Sequence, residues 1–197
     1  MSRPRTFDEE TVLRSVEQEF WDRGFAATSM SDIMAASGLG KGSLYAAFGD
    51  KEAIFDRVYE LYCDDATAAV RAALGGPDES AFERLRSHLV RAATRRGSSG
   101  VERACLLAKT TAELAARRPS VAERSRRTFE DLAGILAACV AAGQRAGDVD
   151  PRLDPVRTGN SLLATLRGLE ALGESGVDEQ VLVDAADSAI EVLAARR

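Results

Sequence analysis

The sequence lacks the residue patterns of several large protein classes. Its three cysteines, Cys63, Cys105 and Cys139, lie far apart, so they match neither the spacing of a metal site nor a disulfide framework. The single histidine, His88, has no catalytic triad signature near it. No apolar run approaches the roughly 18 residues of a membrane span, and the first residues lack the apolar core of a signal peptide. We therefore expect a cytoplasmic protein with no membrane contact, metal, cofactor or catalytic residues.

Proline and strand-like patterns are also scarce. Only five prolines occur in 197 residues, and alanine, leucine, arginine and glutamate, which are good helix formers, dominate. Apolar residues recur every three or four positions, as in Val12, Val16 and Phe20, and no alternation of apolar and polar residues is found. This periodicity predicts an all-α fold of about nine helices, the first running from Asp8 to a stop at Gly24.

Positive charge is in deficit, with a net charge of −5 and an isoelectric point near 5.1. The first 50 residues contain five lysines and arginines against eight acidic residues. Composition therefore does not predict a nucleic-acid-binding protein, and such a function would depend on where individual charges lie. Five of the eight acids fall in the first predicted helix, so they can face away from a nucleic acid.

Residues 29–48 form two short helical patterns around a glycine. Ser29 followed three positions later by Asp32 is a variant of the capping box, and Gly38 ends the first pattern. Leu44 and Phe48 lie four residues apart in the second pattern, so we expect them to be buried together. With the first helix as a cover, this arrangement predicts a helix-turn-helix, although an ordinary helical hairpin is the alternative.

The outward face of the second short helix consists of small residues and a tyrosine. Such a helix fits the major groove of DNA. Thr28 and Ser29 offer hydroxyls and free amides that suit a phosphate oxygen. Lys41 and Lys51 flank the helix, and further positive charge lies on an N-terminal arm. The candidate DNA-binding residues are Arg3, Arg5, Thr28, Ser29, Lys41, Gly42, Ser43, Tyr45, Ala46 and Lys51.

A series of residues at fixed spacing runs through this segment: Gly24-Phe25, Thr28-Ser29, Asp32-Ile33, Gly38-Leu39, Lys41-Gly42-Ser43-Leu44-Tyr45, Phe48 and Lys51-Glu52. The series resembles the N-terminal signature of the TetR family of transcriptional regulators. The resemblance implies an all-helical homodimer whose second domain binds a small molecule and releases DNA. It also implies that Thr28 and Lys51 touch phosphates, while residues 41–46 read bases or backbone.

Two departures from the family pattern affect the expected DNA contacts. Many relatives have an aromatic residue and a histidine where this chain has Ala46 and Ala47, so Ser43, Tyr45 and the arm arginines would carry more of the recognition. Gly40 stands where a capping serine is common, which weakens that helix start by only a few tenths of a kcal/mol.

The resemblance divides the chain into a DNA-binding domain, residues 1–48, and a ligand-binding and dimerisation domain, residues 49–197. The helix beginning at Lys51 would couple the two. Aromatic residues in the second part are typical of a core, and a ligand pocket cut into that core would use the same side chains. The expected wall residues are Tyr59, Tyr62, His88, Leu106, Thr110 and Phe129.

Two further features of the second part have competing interpretations. Cys105 is followed by leucine, as in a Gly-Cys-Leu segment of some TetR relatives in which the cysteine senses oxidants, so it is either a possible redox sensor or a buried apolar residue. An arginine cluster, Arg117, Arg118, Arg124, Arg126 and Arg127, is either a solvated helix end or a site for an acidic partner or ligand.

The last two helical patterns, residues 155–174 and 178–195, carry leucine and alanine stripes with Gly159, Gly168 and Gly173. Two such helices from each subunit would form a four-helix bundle in a homodimer, while packing within one chain is the alternative. We therefore predict a repressor that binds a palindromic operator and is released by a small-molecule effector. The alternatives are a constitutive DNA-binding dimer without effector and a small helical enzyme.

Overall fold

The computed structural model describes residues 7–94 and 105–195, so Arg3 and Arg5 of the expected arm lie outside the described residues. Within these ranges the chain forms nine α-helices and one short 3₁₀ helix, Asp78–Ser80, and the predicted all-α fold is confirmed. The helices are α1 (Glu9–Ala27), α2 (Met30–Ser37), α3 (Lys41–Phe48), α4 (Lys51–Leu74), α5 (Ala81–Ala93), α6 (Leu106–Leu114), α7 (Pro119–Ala146), α8 (Pro155–Glu174) and α9 (Glu179–Glu191). None of these helices is long and apolar enough to cross a membrane.

The start of α1 follows the prediction, but its end does not. The Asp8 carboxylate accepts a hydrogen bond from the Thr11 amide at 2.8 Å, which caps the helix. Gly24 has φ 76° and ψ 171°, so regular helix is interrupted there, but a further turn continues to Ala27. The predicted stop at Gly24 is therefore a break within α1, and α1 ends three residues later.

Residue contacts divide the chain into two compact units. The first unit consists of two segments, the chain up to Asp65 and Leu106–Ser125. The second consists of Ala66–Cys105 and the chain from Arg126 onward. Helices α4 and α7 each contribute residues to both units. This structural division differs from a boundary at residue 48, because the first half of α4 and all of α6 pack with α1–α3. A functional boundary at residue 48 stays a prediction.

The core of the first unit combines apolar stripes of α1 and α4 with aromatic rings. Val16 and Phe20 of α1 are fully buried, and Phe55 of α4 is only 1% exposed. The Phe20 and Phe55 rings meet edge to face with their centroids 5.0 Å apart. Phe25 makes a similar contact with Phe55 at 4.9 Å. These rings fix α1 against α4, because edge-to-face pairs add to the free energy of burial.

The core of the second unit consists of leucine stripes from α5, α7, α8 and α9. Its buried members include Leu85, Leu89, Leu136, Leu162, Leu166, Leu169, Leu182 and Ile190. A surface ion pair between Arg86 and Asp187, 3.0 Å apart, joins α5 to α9. The predicted leucine stripes of the last two helices therefore bury one face within the subunit.

Helix α9 is shorter than predicted. It ends at Glu191, because residues 193–195 pair in extended form with the loop that follows α7. The Asp150 amide donates to the Leu193 carbonyl and the Ala195 amide donates to the Asp148 carbonyl, both at 2.9 Å. The periodicity of α9 does not reveal this end, because the pairing partner lies far away in the sequence.

Gly159 allows a close approach between α8 and α7. A Cβ atom at Gly159 would lie 2.6 Å from the Ala133 carbonyl oxygen and 2.8 Å from the Ala137 nitrogen, both of which belong to the rigid backbone of α7. At Gly134, by contrast, an added Cβ would meet no atom within 4 Å. For Gly159 the alternative of packing within one chain is therefore correct.

We predict that Gly159→Ala lowers the free energy of unfolding by about 1–3 kcal/mol, since the added methyl group forces α7 and α8 apart. Gly134→Ala is the matched control and should raise it by about 0.5–1 kcal/mol, because alanine is the better helix former. Urea unfolding followed by circular dichroism measures both. Equal effects of the two substitutions would contradict the close approach.

Candidate nucleic-acid interface

Helix α2 begins with a complete capping box. The Ser29 hydroxyl accepts from the Asp32 amide at 3.2 Å, and the Asp32 carboxylate accepts from the Ser29 amide at 2.8 Å. The Ser29 hydroxyl also donates to that carboxylate at 2.6 Å, and these hydrogen bonds lower the pKa of Asp32. Ile33 is fully buried, so α2 is fixed at both its start and its inner face. The predicted capping box is confirmed.

The turn between α2 and α3 depends on glycine. Gly38 has φ 67° in the left-handed region, and its amide donates to the Met34 carbonyl at 3.0 Å. Gly40 then caps α3 without any side-chain hydrogen bond, which agrees with the expected weaker helix start. The left-handed Gly38 ends α2, and after two further residues α3 runs over the predicted range, Lys41–Phe48.

Helix α3 has one buried and one exposed face, as its sequence predicts. Leu44 is fully buried and Phe48 is 5% exposed. Tyr45 is 42% exposed, and the Lys41 ammonium lies 5.9 Å from the centroid of its ring. The other outward residues of the helix are Gly42, Ser43 and Ala46. The exposed surface is therefore narrow, free of carboxylates and cationic at one end.

Thr28 and Ser29 do not present the expected hydroxyls. Thr28 is 1% exposed, and its hydroxyl lies 2.8 Å from the Gly24 carbonyl, to which it donates. The hydroxyl and amide of Ser29 are engaged with Asp32. Both hydroxyls are therefore engaged within the protein, and contact of Thr28 and Ser29 with phosphate stays a prediction. The amides of the first residues of α2 remain oriented along the helix axis, where a phosphate oxygen can accept from them.

Lys51 has a structural role in this unit. Its ammonium donates to the carbonyls of Phe25 and Thr28, each at 2.9 Å, and lies 4.3 Å from the Phe25 ring centroid. The side chain is half-buried. It therefore ties the start of α4 to the segment before α2, and a phosphate contact by Lys51 would require these hydrogen bonds to be shared or exchanged.

The acidic residues of α1 are matched by arginines. Glu9 pairs with Arg57 at 2.6 Å, and Glu19 pairs with Arg23 at 3.2 Å. Arg14 contacts Glu10, Glu17 and Asp65. These pairs partly neutralise the carboxylates on the α1 surface and so reduce their repulsion of a phosphate backbone. That these acids face away from a nucleic acid stays a prediction.

Glu113 of α6 makes a contact that no pattern in the sequence indicates. Its carboxylate accepts from the Ala26 amide at 2.9 Å and from the Phe25 amide at 3.2 Å. Glu113 and Phe25 are 88 positions apart, so no local pattern could have revealed the contact. The same helix also sends the Lys109 ammonium to the Trp21 carbonyl at 3.1 Å. The chain before α2 is thus tied to α6.

The six expected ligand-wall residues fall in different units. The first unit contains Tyr59, Tyr62, Leu106 and Thr110, and the second contains His88 and Phe129. The Tyr59 hydroxyl lies 2.7 Å from the Ser125 hydroxyl, and burial raises the pKa of Tyr59. The Tyr62 ring meets Trp21 edge to face, with centroids 5.2 Å apart. Their role as a pocket wall stays a prediction.

An open groove of about 480 Å³ lies in the second unit, and it is lined by other residues. Its lining includes the apolar residues Leu74, Ile135 and Cys139 as well as acidic and basic side chains. One of these, Arg145, is engaged with Asp78 at 2.7 Å. None of the six expected wall residues lines this groove. Among the residues described by the structure, no cluster of three or more metal-binding side chains occurs.

Cys105 is half-buried beside an arginine. The Arg167 guanidinium donates to its sulfur at 2.9 Å and also pairs with Glu170 at 2.8 Å. The redox role stays a prediction. In the arginine cluster, Arg118 pairs with Asp56, Arg124 with Asp64 and Arg126 with Glu130, at 2.6–2.7 Å. The Arg118 and Arg124 side chains are only 18% and 20% exposed, so these two arginines are packed within the first unit and are not at a solvated helix end. A site for an acidic partner or ligand stays a prediction.

We predict that Ser29→Ala raises the pKa of Asp32 toward its ordinary value, since the Ser29 hydroxyl is the main cause of the lowering. A lowered folded-state pKa stabilises the fold above the ordinary carboxyl pKa, and this contribution is lost as the pH falls through the lowered value. NMR titration of the Asp32 carboxyl carbon measures the shift. Ser31→Ala, also on α2, is the control and should leave this pKa unchanged. An unchanged pKa in Ser29→Ala would contradict the capping box.

Comparison with known proteins gives consistent matches along the chain. The family model described as bacterial regulatory proteins, tetR family, matches residues 12–58, and the model described as tetracyclin repressor-like, C-terminal domain, matches residues 81–189. The transcriptional repressor ComR of Escherichia coli K12 is 24% identical over 192 residues, covering 96% of this chain and 90% of ComR. The repressor DhaR of Mycobacterium sp. strain GP1 is 25% identical over 164 residues, covering 83% of this chain and 81% of DhaR.

A solved structure gives the same result. A cysteine mutant of the regulator CifR, in complex with 26-base-pair operator DNA, is 26% identical to this chain and has a TM-score of 0.76. The likeness covers 96% of this chain and 98% of CifR. Since one family model matches more than half of the chain and the other covers α2 and α3, the chain belongs to the TetR family of bacterial transcriptional regulators and is not an enzyme.

Proposed function

We propose that this chain is a transcriptional repressor that binds operator DNA as a homodimer, with α3 in the major groove, and is released by a small-molecule effector. The observation that carries the proposal is the exposed face of α3. Apart from Tyr45, its residues are small or cationic, so the helix backbone can approach base edges closely. The capped start of α2 supplies amides for the phosphate backbone beside the groove.

The relatives support the repressor part of this proposal. ComR and DhaR are both named as transcriptional repressors, and the solved structure of a CifR cysteine mutant is a complex with double-strand operator DNA. The proposed DNA contacts are Tyr45 and Ser43 to bases and Lys41 to a phosphate. Gly42 and Ala46 contribute by leaving space. The arm residues Arg3 and Arg5 are proposed to add cationic contacts.

The homodimer proposal is supported by the outer faces of α8 and α9. Four large apolar side chains on or directly after these helices are exposed: Val156 at 64% and Leu172 at 48% on α8, Val181 at 55% on α9 and Val192 at 73% after its end. Small exposed residues, among them Ala164, Gly168 and Ala185, lie between them on the same helices. A two-fold pairing of these faces would cover the apolar surface and produce a four-helix bundle. The inner faces of both helices are already used within the subunit.

Effector response is the part that separates this proposal from a constitutive DNA-binding dimer. An effector that binds better to a conformation unable to meet the operator shifts the population away from DNA. Screening metabolites by thermal shift distinguishes the two functions. A ligand at about 100 times its dissociation constant should stabilise the folded protein by roughly 2.7 kcal/mol, and it should also release DNA.

We predict that Tyr45→Ala weakens operator binding by about tenfold, the loss expected for one groove contact worth about 1.4 kcal/mol. Tyr45 is largely exposed, so folding should not change. Fluorescence anisotropy with DNA selected from a random pool measures the affinity. Tyr45→Phe separates the contribution of the hydroxyl from that of the ring. Undiminished binding by Tyr45→Ala would count against α3 as the reading helix.

We predict that Lys41→Ala reduces the slope of log affinity against log salt concentration by about 1, because one phosphate contact is lost. Arg91→Ala removes the same charge from an exposed position on α5 and serves as the matched control. The slope of the control should equal that of the unmodified protein. Equal slopes for all three proteins would contradict a phosphate contact by Lys41.

We predict that Val181→Glu converts the homodimer to monomers and abolishes tight operator binding, because a carboxylate cannot be buried at an apolar two-fold interface without a partner. The side chain is exposed within one subunit, so the fold itself should persist. Ala72→Glu, at an exposed position on α4, is the control for added charge. Analytical ultracentrifugation gives the oligomeric state, and a Val181→Glu dimer would overturn this interface.

A further inference from the structure

One carboxylate binds two consecutive backbone amides just before the DNA-reading helices. The Glu113 oxygens accept from the Ala26 amide at 2.9 Å and the Phe25 amide at 3.2 Å. Hydrogen bonds to an ionised acceptor are stronger than those between neutral groups. Two of them at adjacent residues fix both the position and the orientation of this short stretch of backbone.

The break in α1 makes this contact possible. Gly24 leaves the helical conformation with φ 76°, which an L-residue rarely adopts. A Cβ atom at Gly24 would lie 3.0 Å from a Glu113 carboxylate oxygen, so glycine also provides space for the carboxylate. Because regular helix is interrupted at Gly24, the earlier part of α1 does not fix the orientation of its last turn. Contacts with other helices therefore determine that orientation.

The same segment is held from its other side. The Lys51 ammonium donates hydrogen bonds to the carbonyls of Phe25 and Thr28, each at 2.9 Å. The Thr28 hydroxyl donates to the Gly24 carbonyl at 2.8 Å. We call residues 24–28, with these contacts, the junction segment. Helix α6 binds its amides through Glu113, and helix α4 binds its carbonyls through Lys51.

The junction segment leads directly into α2. Its last residue precedes Ser29, the cap of α2, so no flexible linker separates the two. A displacement of the segment is therefore passed to α2, and α2 is joined to α3 by a turn of only three residues. The orientation of the reading helix thus depends on the position of α6 as well as on that of α4.

We propose that Glu113 is a positioning residue for operator binding, because its carboxylate fixes the junction segment and through it the orientation of α2 and α3. This inference depends on the DNA-binding function proposed above. It makes α6 a second element through which an event elsewhere in the protein alters DNA affinity. Glu113 itself is exposed and carries a negative charge, so it does not contact phosphate.

The direction in which DNA affinity changes distinguishes a positioning role of Glu113 from a purely electrostatic one. Removing a carboxylate from a DNA-binding protein should strengthen its attraction to phosphates. Loss of positioning should weaken binding. We expect Glu113→Ala to bind selected operator DNA at least about tenfold more weakly, the scale of one charged hydrogen bond. The salt slope should stay unchanged, since no phosphate contact is lost.

Three full-length variants make the test: Glu113→Ala, Glu113→Gln and Glu130→Ala. Glutamine keeps the shape and one carbonyl acceptor, so Glu113→Gln should bind with intermediate affinity. Glu130 pairs with Arg126 on α7, and its removal changes the net charge equally without touching the junction segment. Fluorescence anisotropy at several salt concentrations gives the affinities, and hydrogen exchange measured by NMR gives the protection of the Phe25 and Ala26 amides.

The expected result is weaker binding in Glu113→Ala together with faster exchange of these two amides, while Glu130→Ala behaves as the unmodified protein. Unchanged or tighter binding by Glu113→Ala would overturn the inference, and so would weaker binding with the amides still protected. If Glu113→Ala fails to fold, the isosteric Glu113→Gln decides by the same criteria. Failure of the unmodified protein to select any DNA sequence would instead overturn the proposed function.

Discussion

Burial of Leu44 and Phe48 is the constraint on which the reading surface depends. With one residue fully buried and the other 5% exposed, the rotation of α3 about its axis is fixed, and Tyr45 and Ser43 must face outward. A change in that rotation would bury the tyrosine and expose a phenylalanine, at a cost of roughly 1.5–3 kcal/mol for each large apolar side chain. The DNA contacts proposed for the small outward residues therefore require this anchor.

A second level of control lies in the connections around α2. The helix has its own cap and a buried Ile33, and the segment before it is bonded by three polar side chains: Thr28 in the segment itself, Lys51 on α4 and Glu113 on α6. These side chains bond to backbone carbonyls and amides, so they hold the position of the chain and not of particular side chains. Helices α2 and α3 have eight residues each and are too short to fold alone, so they depend on contacts with α1, α4 and α6.

Much of the fold and part of the site could be predicted from the sequence. Ser29 and Asp32 form the expected capping box, Gly38 has the expected left-handed conformation, and α3 covers the expected residues. All three depend on residues within four positions of one another, where helix chemistry is local. The end of α9 was predicted too late, since it depends on pairing between residues 193–195 and the distant loop after α7.

The sequence by itself determined the helical class, the helix-turn-helix and the inward direction of Leu44 and Phe48, because periodicity and capping act over short distances. Only the tertiary structure decided what the polar side chains do. The family resemblance makes Thr28 and Lys51 phosphate contacts, which stays a prediction, and the structure shows that both also bond to backbone inside the first unit. A polar side chain can point toward solvent or toward the protein interior. Its direction depends on whether an unpaired backbone group lies nearby, and only the folded chain brings such groups close.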